Sequence, residues 1–121
     1  MYKVLYVEPL EVPRVIETDL SLESIHTLVQ GDVFQAVYPW EDYCALLCSD
    51  TGKLDLLPPN RIIGNDIIAG PFLIVGLGEE DFTDLPEALI AKYSEMFSAI
   101  EFFIQKPDGI EVYKMEAVED E

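Results

Sequence analysis

Hydrophobic and polar positions change period several times along the chain, and each change marks an element. Lys3 to Val7 is a run of β-branched and aromatic residues closed by Glu8-Pro9, which reads as a strand. Glu11 to Glu17 carries Val12, Val15 and Ile16 around Pro13, and a proline that cannot donate to a ladder points to an edge strand. Asp19 or Ser21 then offers an N-cap. Leu22, Ile25, Leu28 and Val29 follow at helical spacing, with Gly31 where a glycine C′ belongs. The centre has the pattern of a meander. Val33 to Tyr38 forms one strand and Tyr43 to Cys48 a second, apolar on both faces and therefore central. Ser49-Asp50-Thr51-Gly52 reads as a hairpin turn with positive φ at the glycine, leading into a third strand over Lys53 to Leu57.

Asn60 to Ala69 groups Ile62, Ile63, Ile67 and Ile68 around Gly64-Asn65-Asp66, which reads as a compact loop on the core. Phe72 to Val75 is another strand. Asp84 and Glu87 have the spacing of a capping box, with Pro86 in the first turn. Leu85, Leu89, Tyr93, Met96, Phe97, Ile100, Phe103 and Ile104 then recur at three- and four-residue steps. That spacing predicts a second helix of roughly six turns. Pro107-Asp108-Gly109 stops it, and Ile110 to Met115 reads as a last strand. The fold class that follows is α+β: a single antiparallel or mixed β-sheet with two α-helices packed on one face. The expected organisation is one domain over residues 1–115 and an acidic tail over 116–121.

Charge changes the picture of partners. The 121 residues include 24 acids against 7 bases, a formal net charge of -17. Half of the residues are hydrophobic, so this is a folded acidic domain and not a disordered acidic tail. The bases are scattered, and no Lys/Arg stripe forms to neutralise phosphates. Direct nucleic-acid binding and attraction to an anionic membrane are disfavoured, and a basic protein partner is favoured. The same acids also serve simple solubility. Glu79, Glu80, Asp81, Asp84 and Glu87 are the densest acidic run and the candidate partner face. No signal segment opens the chain and no stretch is long enough to span a bilayer, so the expected location is cytoplasmic. Monomer and homodimer both stay open, with the edge near Val12 to Ile16 able to self-pair.

Candidate chemistry is sparse. Cys44 and Cys48 share one face of a strand but stand ~13 Å apart at about 3.3 Å per residue, which is too far for a disulfide. They are expected as reduced core thiols. His26 is the lone histidine, so a zinc site lacks ligands. No G-x-S-x-G elbow, phosphate-binding glycine loop or EF-hand spacing is present. No catalytic residue, metal site or cofactor is assigned. Leu57-Pro58-Pro59-Asn60-Arg61 is the one distinctive segment. It combines a stiffened backbone with a planar cation suited to carboxylate or phosphate. Two readings stand: Arg61 holds its own loop, or Asn60, Arg61 and Gly70, with Trp40 nearby, bind an anionic ligand or a partner.

At this motif the chain resembles the DUF3846 family, a domain of unknown function found in bacteria, phages and mobile elements. The likeness rests on Val4-Leu5-Tyr6-Val7-Glu8-Pro9, the first helix with Gly31 and the following strand, the Cys48 to Lys53 turn, Leu57-Pro58-Pro59-Asn60-Arg61, and Ile68 to Gly76. It covers about residues 3–105. The resemblance transfers no activity and no catalytic residue. It implies a small accessory protein of phages or integrated elements. The reading that follows is a non-enzymatic binding protein acting through protein contact, in a sharper version a DNA mimic, with an anionic-ligand module at Arg61 as the alternative.

Overall fold

In the computed structural model the described residues are 1–116. The tail expected at 116–121 lies outside them except for Glu116, which ends the last strand. The elements run β1 (Tyr2–Val7), β2 (Arg14–Thr18), α1 (Leu22–Val29), β3 (Phe34–Val37), β4 (Cys44–Ser49), β5 (Pro59–Ile63), β6 (Asp66–Ala69), β7 (Phe72–Leu77), β8 (Phe82–Thr83), α2 (Glu87–Met96), β9 (Ala99–Lys106) and β10 (Gly109–Glu116). The main sheet has the order β2-β1-β7-β4-β3, with the short β8 paired to β7. β5–β6 and β9–β10 form two separate two-stranded sheets. Every pairing among the described residues is antiparallel.

The fold class is α+β as expected, but the single sheet is corrected to one main sheet and two hairpins, and the helices lie on opposite faces. The reason is the composition of the middle strands. Strand residues alternate between faces, and β1, β4 and β7 are apolar at nearly every position, so both faces need cover. On one face Val4, Tyr6, Ala45, Leu47, Leu73 and Val75 pack against Ile25 and Val29 of α1. On the other, Leu5, Val7, Leu46, Phe72 and Ile74 pack against Tyr93 and Phe97, with Ile63 and Ile68 of the β5–β6 hairpin. The Tyr6 hydroxyl donates to the Leu28 carbonyl at 2.7 Å, fixing α1 to the sheet.

Several local expectations hold. β2 is an edge strand, and Ser21 caps α1, its hydroxyl accepting from the Ser24 N–H at 3.1 Å. Leu22, expected in the buried stripe, is exposed. The left-handed residue that ends α1 is Gln30 (φ 58°), not Gly31. Gly31 is needed for closeness instead, since a Cβ there would meet the Ser49 hydroxyl at 2.4 Å.

Three segments depart more widely. Lys53 to Leu57 is not a strand. The chain turns there through bonds such as Asp55 N–H to the Thr51 carbonyl and Leu57 N–H to the Gly52 carbonyl, both 2.9 Å. Gly52 is absent from the positive-φ glycines; its Cβ would lie 2.8 Å from the Ala69 carbonyl oxygen. Residues 60–69 are the β5–β6 hairpin and not a loop. Gly64 (φ 63°) and Asn65 form its two-residue connection, the glycine-first arrangement of a II′ turn.

The expected six-turn helix stops at Met96, and residues 99–106 are β9. Ile100, Phe102 and Ile104 alternate as well as Ile100, Phe103 and Ile104 step helically, and Pro107-Asp108-Gly109 makes a tight turn that brings β10 back as a partner. The capping box is not formed: Pro86 is the N-cap, without a side-chain bond. Asp84 reaches elsewhere, its Oδ1 accepting from the Lys3 N–H at 2.8 Å while Leu85 N–H donates to the Lys3 carbonyl at 2.9 Å.

This crossing requires Gly76, because a Cβ there would stand 2.0 Å from the Asp84 carbonyl oxygen. Backbone cannot yield as a side-chain tip can. Gly76→Ala is therefore expected to lose more than about 3 kcal/mol of unfolding free energy, measured by urea denaturation. A change below about 1 kcal/mol would show that β7 and the 84–85 segment tolerate separation.

Candidate functional site

The distinctive Pro-Pro-Asn-Arg segment starts β5, and the structure puts Asn60, Arg61 and Gly70 together beneath the β5–β6 hairpin. Asn60 and Arg61 are both fully buried. The Asn60 amide nitrogen donates to the Val7 carbonyl at 2.8 Å and to the Gly70 carbonyl at 2.9 Å. Its amide oxygen accepts from Arg61 Nη1 at 2.8 Å. Arg61 Nη1 also contacts the Asn60 carbonyl at 3.3 Å, and Nη2 donates to the carbonyls of Glu11 (2.8 Å) and Phe97 (3.0 Å). Nε has no partner. One residue pair thus ties the end of β1, the loop before β2, the β6–β7 turn and the end of α2.

Gly70 permits the turn at φ 84°, and its N–H donates to the Pro58 carbonyl at 2.7 Å. Burial lowers the Arg61 pKa from its ordinary value, with Glu101 opposing. Glu101 is itself buried, and its Oε1 accepts from the Ile62 N–H at 2.9 Å. Trp40 is not at this site's mouth. It stacks on Tyr93 (centroids 4.3 Å apart) and approaches Phe97 (5.9 Å), half-buried against the core on the α2 face.

The geometry therefore gives Asn60, Arg61 and Gly70 a loop-holding role. Four of the five guanidinium N–H groups face oxygens of the chain itself, and no part of the side chain reaches solvent. An anion would have to displace those carbonyls.

Glu79, Glu80 and Asp81 occupy the β7–β8 connection, and Asp84 and Glu87 follow it to the first turn of α2. All five are exposed. The bases are less available. Arg14 pairs with Glu8 (2.9 Å), Lys92 with Asp42 (2.6 Å), Lys106 with Glu111 (3.1 Å), and Lys53 with Asp66.

Two further features were not readable in advance. Glu101 is the buried acid beside Arg61. Asp42, in the β3–β4 connection, accepts from Lys92 Nζ and from the Tyr93 hydroxyl, each at 2.6 Å. Those bonds, Lys92 first, hold its carboxyl below the usual range, while burial and Asp42 push the Tyr93 phenol well up. The partners sit about fifty positions apart, so no local signal exposes them. Cys44 and Cys48 are free and buried, and burial raises both thiols, which keeps them protonated and unreactive. His26 lies edge-on to Phe34 with centroids 5.6 Å apart. Among the described residues no group of three or more His, Cys, Asp or Glu side chains is placed to hold a metal ion, and no helix is long and apolar enough to cross a membrane.

These observations define an acidic α+β domain with one helix on each face of its sheet, locked by a buried Asn-Arg pair. The chain belongs to the DUF3846 family, a domain of unknown function, whose family model matches residues 2–98. The β9–β10 hairpin lies beyond that match. No curated protein and no solved structure matches the chain.

Arg61→Met, which keeps much of the side-chain length but removes the donors, is expected to cost about 3 kcal/mol or more, the worth of two charge-assisted bonds. Arg61→Lys should recover only part, because one ammonium cannot span the same carbonyls. Urea unfolding checks both, and an Arg61→Met chain within about 0.5 kcal/mol of wild type would refute the locking role.

A second expectation concerns pH. A carboxyl held low in the folded chain contributes stability above its unfolded pKa, near 4, and loses it as pH falls through the folded value. The difference in Tm between wild type and Asp42→Asn should thus be constant above about pH 5 and shrink below about pH 4. A pH-independent difference would mean that the carboxylate charge is not what Lys92 and Tyr93 hold.

Proposed function

We propose that this chain is a small, non-enzymatic accessory protein that binds a basic protein partner through its acidic surface, in the cytoplasm of a cell carrying a phage or mobile element. The observation that carries the reading is the disposition of charge. The net charge is -17, four of the seven cations are paired with the chain's own acids, and a fifth, Arg61, is buried. What faces the solvent is therefore a largely uncompensated set of carboxylates, and such a field attracts cationic proteins and repels polyphosphates and anionic lipid.

The exposed run from Glu79 to Glu87 is the natural centre of that face. The anionic-ligand alternative at Arg61 has no comparable support, since the guanidinium is enclosed. A DNA-mimic version of the proposal follows if the partner's basic groove normally holds nucleic acid. Surface pairs with such a partner steer association and weaken with salt.

The test is a pull-down from a bacterial host lysate with the full chain, at about 0.05 M and about 0.5 M salt, against a charge-reduced control. Glu79, Glu80 and Asp81 are changed to Gln or Asn in that control. Basic proteins should be retained at low salt, released at high salt and depleted by the control. Duplex DNA should compete them off if mimicry is the mechanism. Absence of any basic protein at low salt would sink the proposal.

A further inference from the structure

The β9–β10 hairpin carries an apolar face that the domain core does not use. Directly opposed residues of an antiparallel pair share a face, and the register puts Phe102 opposite Tyr113 and Ile100 opposite Met115, with Ile104 next along. Phe102, Ile104, Tyr113 and Met115 stay exposed, Met115 at 59%. With Leu10 and Pro59 they line a groove of about 480 Å³. A two-stranded hairpin is marginal alone, but this one is held at its base by the Glu101 carboxylate on Ile62 N–H and by Arg61 on the Phe97 carbonyl. The groove wall is therefore fixed, and contiguous exposed apolar surface of this kind marks an interaction site.

Charge decides the occupant. Of the cations near the groove, Arg14 pairs with Glu8, Lys106 pairs with Glu111 and Arg61 lies in the interior, which leaves Lys114, exposed between Tyr113 and Met115, against the acids Glu11, Glu101 and Glu116. Glu11, next to Leu10, and Glu116, next to Met115, are exposed. A second copy would bring -17 against -17, and a nucleic acid or anionic membrane meets the same repulsion. What complements an apolar groove in an acidic surface is an apolar anchor flanked by Lys or Arg. We infer that the groove between Leu10, Pro59 and the β9–β10 hairpin docks a cationic amphipathic segment of a protein partner. This rests on the proposal above that the partner is basic, and it names where that partner's apolar side chains enter.

The probe is a short helical peptide of leucine and lysine with the leucines on one face. Controls replace every leucine by serine, or every lysine by glutamine. Titrated into the isotope-labelled full chain, the Leu/Lys peptide should shift the amide signals of Leu10, Phe102, Ile104, Tyr113 and Met115. Its affinity by fluorescence anisotropy should fall at least about tenfold in a Phe102→Ser/Met115→Ser variant. The Ser/Lys peptide should bind weakly and equally to both proteins. The wild-type shift map stands by itself if the variant does not fold.

Shifts spread over the acidic surface and missing the groove, or equal affinity of a folded variant, would overturn the docking site and leave the basic-partner proposal standing. Binding of the Leu/Gln peptide as tight as that of Leu/Lys would overturn the charge argument. Dimerisation of the free chain abolished by the variant would hand the groove to a second copy. Failure of both lysine peptides to bind at low salt would remove the basic-partner reading itself, and this inference with it.

Discussion

The structure depends on a buried cation that, among the described residues, forms no ion pair with a carboxylate. Arg61 spends its Nη donors on the carbonyls of Glu11, Asn60 and Phe97 and on the Asn60 amide oxygen, and Asn60 in turn holds Val7 and Gly70. Carbonyl oxygens at loop and helix ends otherwise go unpaired when buried, at a cost of a few kcal/mol each. A guanidinium satisfies several at once because its donors lie in a rigid fork. Two adjacent residues thereby fasten segments that the main sheet does not connect.

That lock matters because the sheet demands cover on both faces. With β1, β4 and β7 apolar at nearly every position, α1 alone could bury only one side. The other side is closed by α2 together with the β5–β6 hairpin, and Arg61 is the bond between them: it begins in β5 and ends on the Phe97 carbonyl at the foot of α2. Glu101 extends the same arrangement by accepting from Ile62. The hairpin that follows is positioned by this contact, and its outer apolar face is the surface left over. Acids cover much of the remaining exterior, so the apolar groove along this hairpin sits in a negative field.

The regular elements were readable where periodicity was unambiguous. β1, β2, β3, β4, β7, β10 and α1 follow from alternation, proline and cap residues. The largest misreading comes from a segment compatible with two periods. Ile100, Phe103 and Ile104 step helically, yet Ile100, Phe102 and Ile104 alternate, and the choice fell to a partner strand that exists only after the turn at Pro107-Asp108. Lys53 to Leu57 alternates well, but its N–H groups close turns onto Thr51 and Gly52 instead of pairing with a strand. Asp84 had a capping role by spacing and gave its carboxylate instead to Lys3, more than eighty positions away. The site was half readable: Arg61 stood out as a cation in an apolar stretch, while the direction it faced could not be known.

The sequence by itself determined the family, the α+β class, the two-sided apolar strands, the reduced buried cysteines and the acidic surface. Each of these is a matter of composition, local period or motif. Tertiary structure alone decided that the helices lie on opposite faces, that Arg61 points inward to carbonyls, and that the hairpin after α2 leaves an apolar groove open. Those outcomes depend on which distant backbone groups need a donor and which faces still need cover. Such accounts are settled only when the whole chain is packed.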